Sequence, residues 1–196
     1  QPQNIKNLSD YSQEINHGYQ PSGLQRLDPS VAPDLKEAFT MRDVKKNIDK
    51  AAMWPSAEFS QTAGRTFEEF LRGANIVMEA FAIALDLPID FFRNCHKGDN
   101  TALRYLHYPV VSEEPNKNQL GCGAHTDFGT ITLLFQDDVG GLQVQERDGV
   151  WRDAIYIPDT IIINTADLVA TWTNDRYRST PHRVKPMVSL RDRYSI

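Results

Sequence analysis

Nine short β-prone runs succeed one another from about Thr101 to the last residue: ALRYLHYP, GCGAHTDF, TITLLF, GLQVQE, VWRDAIY, TIIIN, DLVATWT, HRV and RYSI. Turn signals separate them, among them Gly140-Gly141, Asp148-Gly149 and Pro158-Asp159. Asp148-Gly149 predicts a hairpin between GLQVQE and VWRDAIY, because both residues tolerate positive φ. No single run is long enough to bury a face by itself. Many such runs at close spacing predict a β sandwich or barrel, here a core over residues 101–196.

Residues 1–100 read as a helical and irregular supporting segment of the same domain. Pro2, Pro21, Pro29, Pro33 and Pro55 interrupt the first part, where short helices are expected around Leu35–Phe39 and Arg42–Ala52. Phe67, Phe70, Leu71, Ala74, Val77, Met78, Phe81 and Leu85 recur at three- and four-residue steps. That period predicts an amphipathic helix over Thr66–Leu87, opened by a Thr66/Glu69 capping box and closed by Pro88. Its aromatic and Met stripe reads as core packing.

The chain has 21 Lys+Arg against 26 Asp+Glu, a formal net charge of −5. An acidic balance argues against a nucleic-acid partner, which needs a basic face. No run approaches the roughly 18 apolar residues of a membrane span. The segment Asp175–Arg193 holds six basic and two acidic residues, which suits a small anionic ligand. Cys95 and Cys122 form no CxxC and are expected as free thiols in a reducing, cytoplasmic setting. The chain starts at Gln1 without a signal-peptide pattern, which reads as a processed form or a fragment.

His125 and Asp127 stand two apart in a strand-like run, so alternation puts both on one face. An imidazole beside a carboxylate offers two metal ligands, and His182 is the best candidate for a third. Two His and one carboxylate make the facial triad of non-haem iron oxygenases, which leaves positions open for a bidentate cosubstrate and dioxygen. By itself HxD is a common chance pattern. Arg193 and Ser195 strengthen it: they too share a strand face, and a guanidinium fork beside a hydroxyl matches a carboxylate. His17, His96 and His107 read as surface or satisfied core histidines.

These residues together resemble the iron- and 2-oxoglutarate-dependent dioxygenases of the isopenicillin N synthase-like superfamily. The resemblance lies in Gly123–Val144, Arg176–Val184 and Arg191–Ile196, with Leu103–Pro109, Asn47–Pro55 and Asp34–Phe39 adding upstream segments. It implies a mainly β protein with flanking helices and a double-stranded β-helix, or jelly-roll, core, incomplete at both ends. It implies Fe(II) on His125, Asp127 and His182. It implies the distal carboxylate of 2-oxoglutarate on Arg193 and Ser195, with Tyr108 touching the same cosubstrate. The implied reaction hydroxylates or desaturates a small organic substrate with dioxygen, releasing succinate and CO2. Phe128, Phe135 and Tyr105 are candidate walls of the substrate pocket. A monomer acting on neither nucleic acid nor membrane is expected. Leu106 replaces an Asn found in many plant members, and Ala166 replaces the Gly of an NxGD stretch, where a tighter turn is expected.

Two rival readings remain open. One is an oxidase of the same fold that uses iron and dioxygen without 2-oxoglutarate, its Arg-Ser pair holding the substrate's carboxylate. The other is a non-catalytic or truncated relative acting as a binding module. A zinc hydrolase with the same three ligands would leave Arg193 and Ser195 without a role.

Overall fold

The computed structural model describes residues 2–26, 30, 32–96, 101–111, 118–186 and 191–196. The helices are α1 (Gln3–Lys6), α2 (Val44–Asn47), α3 (Ala57–Ala84), α4 (Phe91–Cys95) and α5 (Asp167–Trp172). The strands are β1 (Gly18–Gln20), β2 (Glu37–Arg42), β3 (Ala102–Tyr108), β4 (Cys122–His125) and β5 (Ile131–Leu134). They continue as β6 (Leu142–Gln145), β7 (Trp151–Asp153), β8 (Ile162–Thr165), β9 (His182–Val184) and β10 (Arg193–Ser195). Among the described residues the sheets have the orders β1-β2-β3-β10, β4-β9-β6-β7 and β5-β8. Two compact units result: Gln1–Tyr19 with Phe39–Arg104, and Gln20–Ala38 with Tyr105–Ile196.

In the first unit α3 begins earlier than the capping box suggests. Ser56 is the N-cap, its hydroxyl accepting from Phe59 N at 3.1 Å. Thr66 and Glu69 therefore lie inside the helix. The helix ends in a Schellman turn: Asp86 takes φ 57°, Leu87 N donates to Ala82 O at 2.9 Å and Asp86 N to Ile83 O at 3.1 Å. Pro88 then lies past a stop already made. Of the expected stripe, Phe67 and Met78 are buried and Phe70, Leu71, Ala74, Val77, Phe81 and Leu85 only partly so; Ala63 and Ala82 complete the buried apolar residues of α3. Arg93 of α4 pairs with Glu79 of α3. His17, Phe39, Trp54 and Phe59 form an aromatic cluster, with Phe39 and Phe59 edge to face at 4.9 Å.

Two expected elements change type. Leu35–Phe39 is not helical: Glu37–Arg42 form β2, whose four inner residues are all buried. Burial on both faces removes the two-residue alternation that would have marked a strand. Likewise DLVATWT is not a strand, because Asp167–Trp172 form α5. Val169 and Ala170 are buried while Leu168 and Trp172 are exposed, a pattern with helical rather than two-residue period. The expected Arg42–Ala52 helix is reduced to α2, followed by a 3-10 turn over Ala51–Met53.

The second unit is built from nested antiparallel pairs: β6 with β7, β5 with β8, β4 with β9, and β3 with β10. Eight strands folded back on a central hairpin are a double-stranded β-helix, the jelly roll that the family resemblance implies. The central hairpin turns at Asp148-Gly149. Gly149 N donates to Glu146 O at 3.0 Å, and Gly149 takes φ 82°, which a β-carbon would strain. Tyr108, Cys122, Leu142 and Val184 form the buried core, with Leu106, Leu134, Val139, Ala154 and Ile162 packed against it. Leu106 thus sits where an apolar side chain is wanted. Ala166 takes φ −109° and ψ 179°, extended backbone open to any residue, so the expected tighter turn is not formed.

Candidate active site

The pairing of β4 with β9 sets His125 directly opposite His182. Their rings lie 4.2 Å apart, centroid to centroid. Asp127 reaches the same point by a route alternation did not foresee. Strand β4 ends at His125, and Asp127 lies in the irregular segment that follows, its carbonyl accepting from Asp167 N at 2.9 Å. Its carboxylate still converges: Oδ1 is 3.9 Å from His125 Nε2 and 3.8 Å from His182 Nε2. One ligand atom from each of the three residues falls within 4.8 Å of the others.

Hydrogen bonds assign the tautomers. His125 Nδ1 is 2.8 Å from Gly123 O, and His182 Nδ1 is 3.1 Å from Thr180 O. A carbonyl only accepts, so each Nδ1 carries the proton and each Nε2 presents a lone pair. Burial pulls His125 below its ordinary value, against the opposing pull of Gly123 and Asp127. Burial also lowers His182, and His125 beside it adds to the effect. Both rings are therefore neutral at pH 7. Two imidazole lone pairs and a carboxylate oxygen face one another with no proton between them, which is the donor set a divalent metal satisfies.

Asn164 of β8 donates to Asp127 Oδ2 at 2.8 Å, turning Oδ1 toward the histidines. Nothing local in the sequence marks Asn164 for this role, although it opens the NTAD stretch that holds Ala166. Orienting a ligand from outside is the usual work of such a residue.

Strand β10 carries the second cluster. Arg193 is 0% exposed. Its Nε donates to Gly140 O at 2.8 Å, Nη2 to Gln136 Oε1 at 3.1 Å and Nη1 to Ser195 Oγ at 3.3 Å. Its guanidinium carbon lies 4.7 Å from the centre of the Tyr108 ring. The Tyr108 hydroxyl hydrogen-bonds Ser195, and burial pushes the phenol up. Arg193, Ser195 and Tyr108 are thus brought together as expected. None of the three hydrogen-bond acceptors around Arg193 is charged, so this is a buried cation suited to an anionic guest. Gln136 and Gly140 were not foreseen, since nothing local marks them.

The three candidate pocket aromatics are not placed alike. Phe128 follows Asp127 directly and is 87% exposed. Phe135 follows β5, exchanging backbone hydrogen bonds with Ile196 at 2.9 Å. Tyr105 lies on β3, where alternation puts it on the face opposite Leu106 and Tyr108. Elsewhere, His107 lies between carboxylates, 2.7 Å from Glu37 and 2.8 Å from Asp192, a satisfied histidine as expected. Both cysteines are free thiols, Cys95 exposed and Cys122 buried. Among the described residues, no helix is long and apolar enough to cross a membrane.

Comparison with known proteins agrees with this geometry. Residues 97–196 match the family model of the 2OG-Fe(II) oxygenase superfamily. The chain is 35% identical over 208 residues to the 2-oxoglutarate-Fe(II) type oxidoreductase hxnY of Emericella nidulans, covering 97% of this chain and 58% of that protein. It is also similar to the crystal structure of a full-length Neurospora crassa protein in complex with alpha-KG, with TM-score 0.84 and 33% identity, covering 100% of this chain and 65% of that one. The structure of the same Neurospora crassa protein with alpha-KG and thymine gives TM-score 0.85 at 32% identity, covering 100% and 66%. The chain thus spans about three fifths of the length of the curated relative.

Proposed function

The chain belongs to the 2OG-Fe(II) oxygenase superfamily, and on that premise we propose that it is a 2-oxoglutarate-dependent dioxygenase. It hydroxylates or desaturates a small organic molecule, with release of succinate and CO2. His125, Asp127 and His182 would hold Fe(II), which when bound supplies the activation of dioxygen. Arg193, with Ser195 and Tyr108 beside it, binds the distal carboxylate of 2-oxoglutarate. Asn164 orients Asp127. The rings of His125 and His182 stay neutral, so no proton competes for their Nε2 lone pairs. Phe128, Phe135 and Tyr105 are the proposed walls of the substrate pocket.

The observation that carries this reading is the convergence of three unprotonated donors in the same unit as a buried, neutrally partnered Arg193. We take residues 101–196 as the oxygenase core and 1–100 as its support. The acidic charge and free thiols favour a cytoplasmic monomer acting on neither nucleic acid nor membrane.

Anaerobic titration with Fe(II), with and without 2-oxoglutarate, tests the reading. A weak visible charge-transfer band is expected only when both are present. Succinate release is then screened across small molecules, thymine first, because a similar structure holds it. Iron binding with no band and no succinate would overturn the proposal and favour the oxidase or the binding module.

A further inference from the structure

Asp34 and Lys36 lie outside the cluster of metal donors yet are almost wholly buried, at 1% and 3% exposure. Lys36 Nζ is 2.7 Å from Asp34 Oδ2 and 2.9 Å from Cys122 Sγ. The other carboxylate oxygen, Asp34 Oδ1, accepts from Gly123 N at 2.9 Å. Gly123 O in turn accepts from His125 Nδ1. A continuous path therefore runs from the Lys36 ammonium through the Asp34 carboxylate and the Gly123 backbone to the His125 ring.

The path lies where β4 is least determined. The β4–β9 register is irregular between Cys122 and His125, so the ladder does not dictate the backbone there. Glycine adds conformational freedom at that point. The anchored Gly123 N–H fixes the Cys122–Gly123 peptide plane, the bond His125 Nδ1 makes to the Gly123 carbonyl fixes the next one, and that carbonyl decides which ring nitrogen of His125 keeps the proton. A buried ion pair is a poor stabilising device, because desolvation offsets its attraction, and its best-attested use is to fix register.

We propose that Asp34, held by Lys36, is a positioning residue that locks His125 in the Nδ1–H tautomer through Gly123, keeping Nε2 free as a metal ligand. The metal role of His125 rests on the function proposed above; the tautomer lock does not.

Two double variants separate the parts. Asp34→Asn with Lys36→Met removes the charges but keeps an oxygen for Gly123 N. Asp34→Leu with Lys36→Met removes both, and neither leaves an unpaired buried charge. Histidine-ring ¹⁵N NMR of the metal-free protein at pH 8 reads each tautomer directly. The Asn variant should keep His125 as Nδ1–H. The Leu variant should populate Nε2–H at His125 and bind Mn(II) about tenfold more weakly, the low end for losing an outer partner of a ligand. His182, held by Thr180 instead, should keep its tautomer in both. An unchanged His125 in the folded Leu variant would overturn the proposal. So would a joint shift of His125 and His182, which would mean general loosening. Wild-type protein that shows the Nδ1–H tautomer but binds no divalent metal would instead sink the functional reading and leave the lock standing.

Discussion

Replacing Arg193 with Met separates a carboxylate clamp from a merely structural arginine. The guanidinium is 0% exposed and its three hydrogen bonds, at 2.8, 3.1 and 3.3 Å, all go to neutral acceptors. Their loss leaves buried acceptors unpaired, at about 1–3 kcal/mol each. Against that, the variant no longer buries a cation without an anion, a penalty of several kcal/mol. The two offset, so the melting temperature of protein without 2-oxoglutarate should move by only a few degrees. Binding should respond quite differently. Two charge-assisted hydrogen bonds at about 1.5 kcal/mol each amount to about 3 kcal/mol, or roughly 150-fold in Kd for 2-oxoglutarate. Arg193→Lys keeps the charge but not the fork, and should fall between. Anaerobic titration of the Fe(II) protein with 2-oxoglutarate measures all three. Arg193→Met binding within threefold of wild type, in a folded protein, would refute the clamp. A collapse in melting temperature with binding retained would show that the arginine is structural.

Other consequences can be checked alongside it. His182→Ala should abolish the charge-transfer band while leaving the far-UV circular dichroism unchanged; a band of full intensity would remove His182 from the ligand set. Asn164→Ala should weaken divalent-metal affinity by about 10- to 100-fold, measured by Mn(II) titration, because Asp127 loses its orienting partner. Burial lowers His17, His125 and His182 below their ordinary value of 6.5, so the unfolded chain binds more protons than the folded one as pH falls through that value. Stability of the metal-free protein should be flat with respect to these groups above about pH 6.5 and decline toward pH 5, as read by melting temperature; a rise on acidification would contradict the assignment. Ser56→Ala should destabilise by about 1 kcal/mol in denaturant unfolding through loss of the α3 cap.

The sequence was most informative where chemistry and local geometry coincide. His125, Asp127, His182, Arg193, Ser195 and Tyr108 could be named from residue type and spacing together with a family resemblance, and the fold gathers them into two clusters. The β6–β7 hairpin is legible because the turn chemistry of Asp148-Gly149 is local. What stayed hidden depends on contacts distant along the chain. Strand β2 is buried on both faces, so its residues carry no alternation. Helix α5 reads as a strand in the sequence because six residues are too few for a helical period to stand out from β-prone content. Asn164, Gln136 and Asp34 act through hydrogen bonds to residues far away in sequence, and no local pattern distinguishes them from solvent-facing polar side chains.

The nested pairing also ranks the strand pairs by the length of loop each one closes. The β6–β7 hairpin closes the shortest loop, and each further pair encloses all those inside it, at a growing cost in chain entropy. The rung joining His125 to His182 lies third from the centre, and the rung joining Tyr108 to Arg193 lies fourth. A partly zipped core would therefore hold a correct hairpin but neither paired donors nor clamp. Metal or 2-oxoglutarate bound at those outer rungs would favour the completed structure over its frayed intermediates, making each a latch on the last part of the ladder to close.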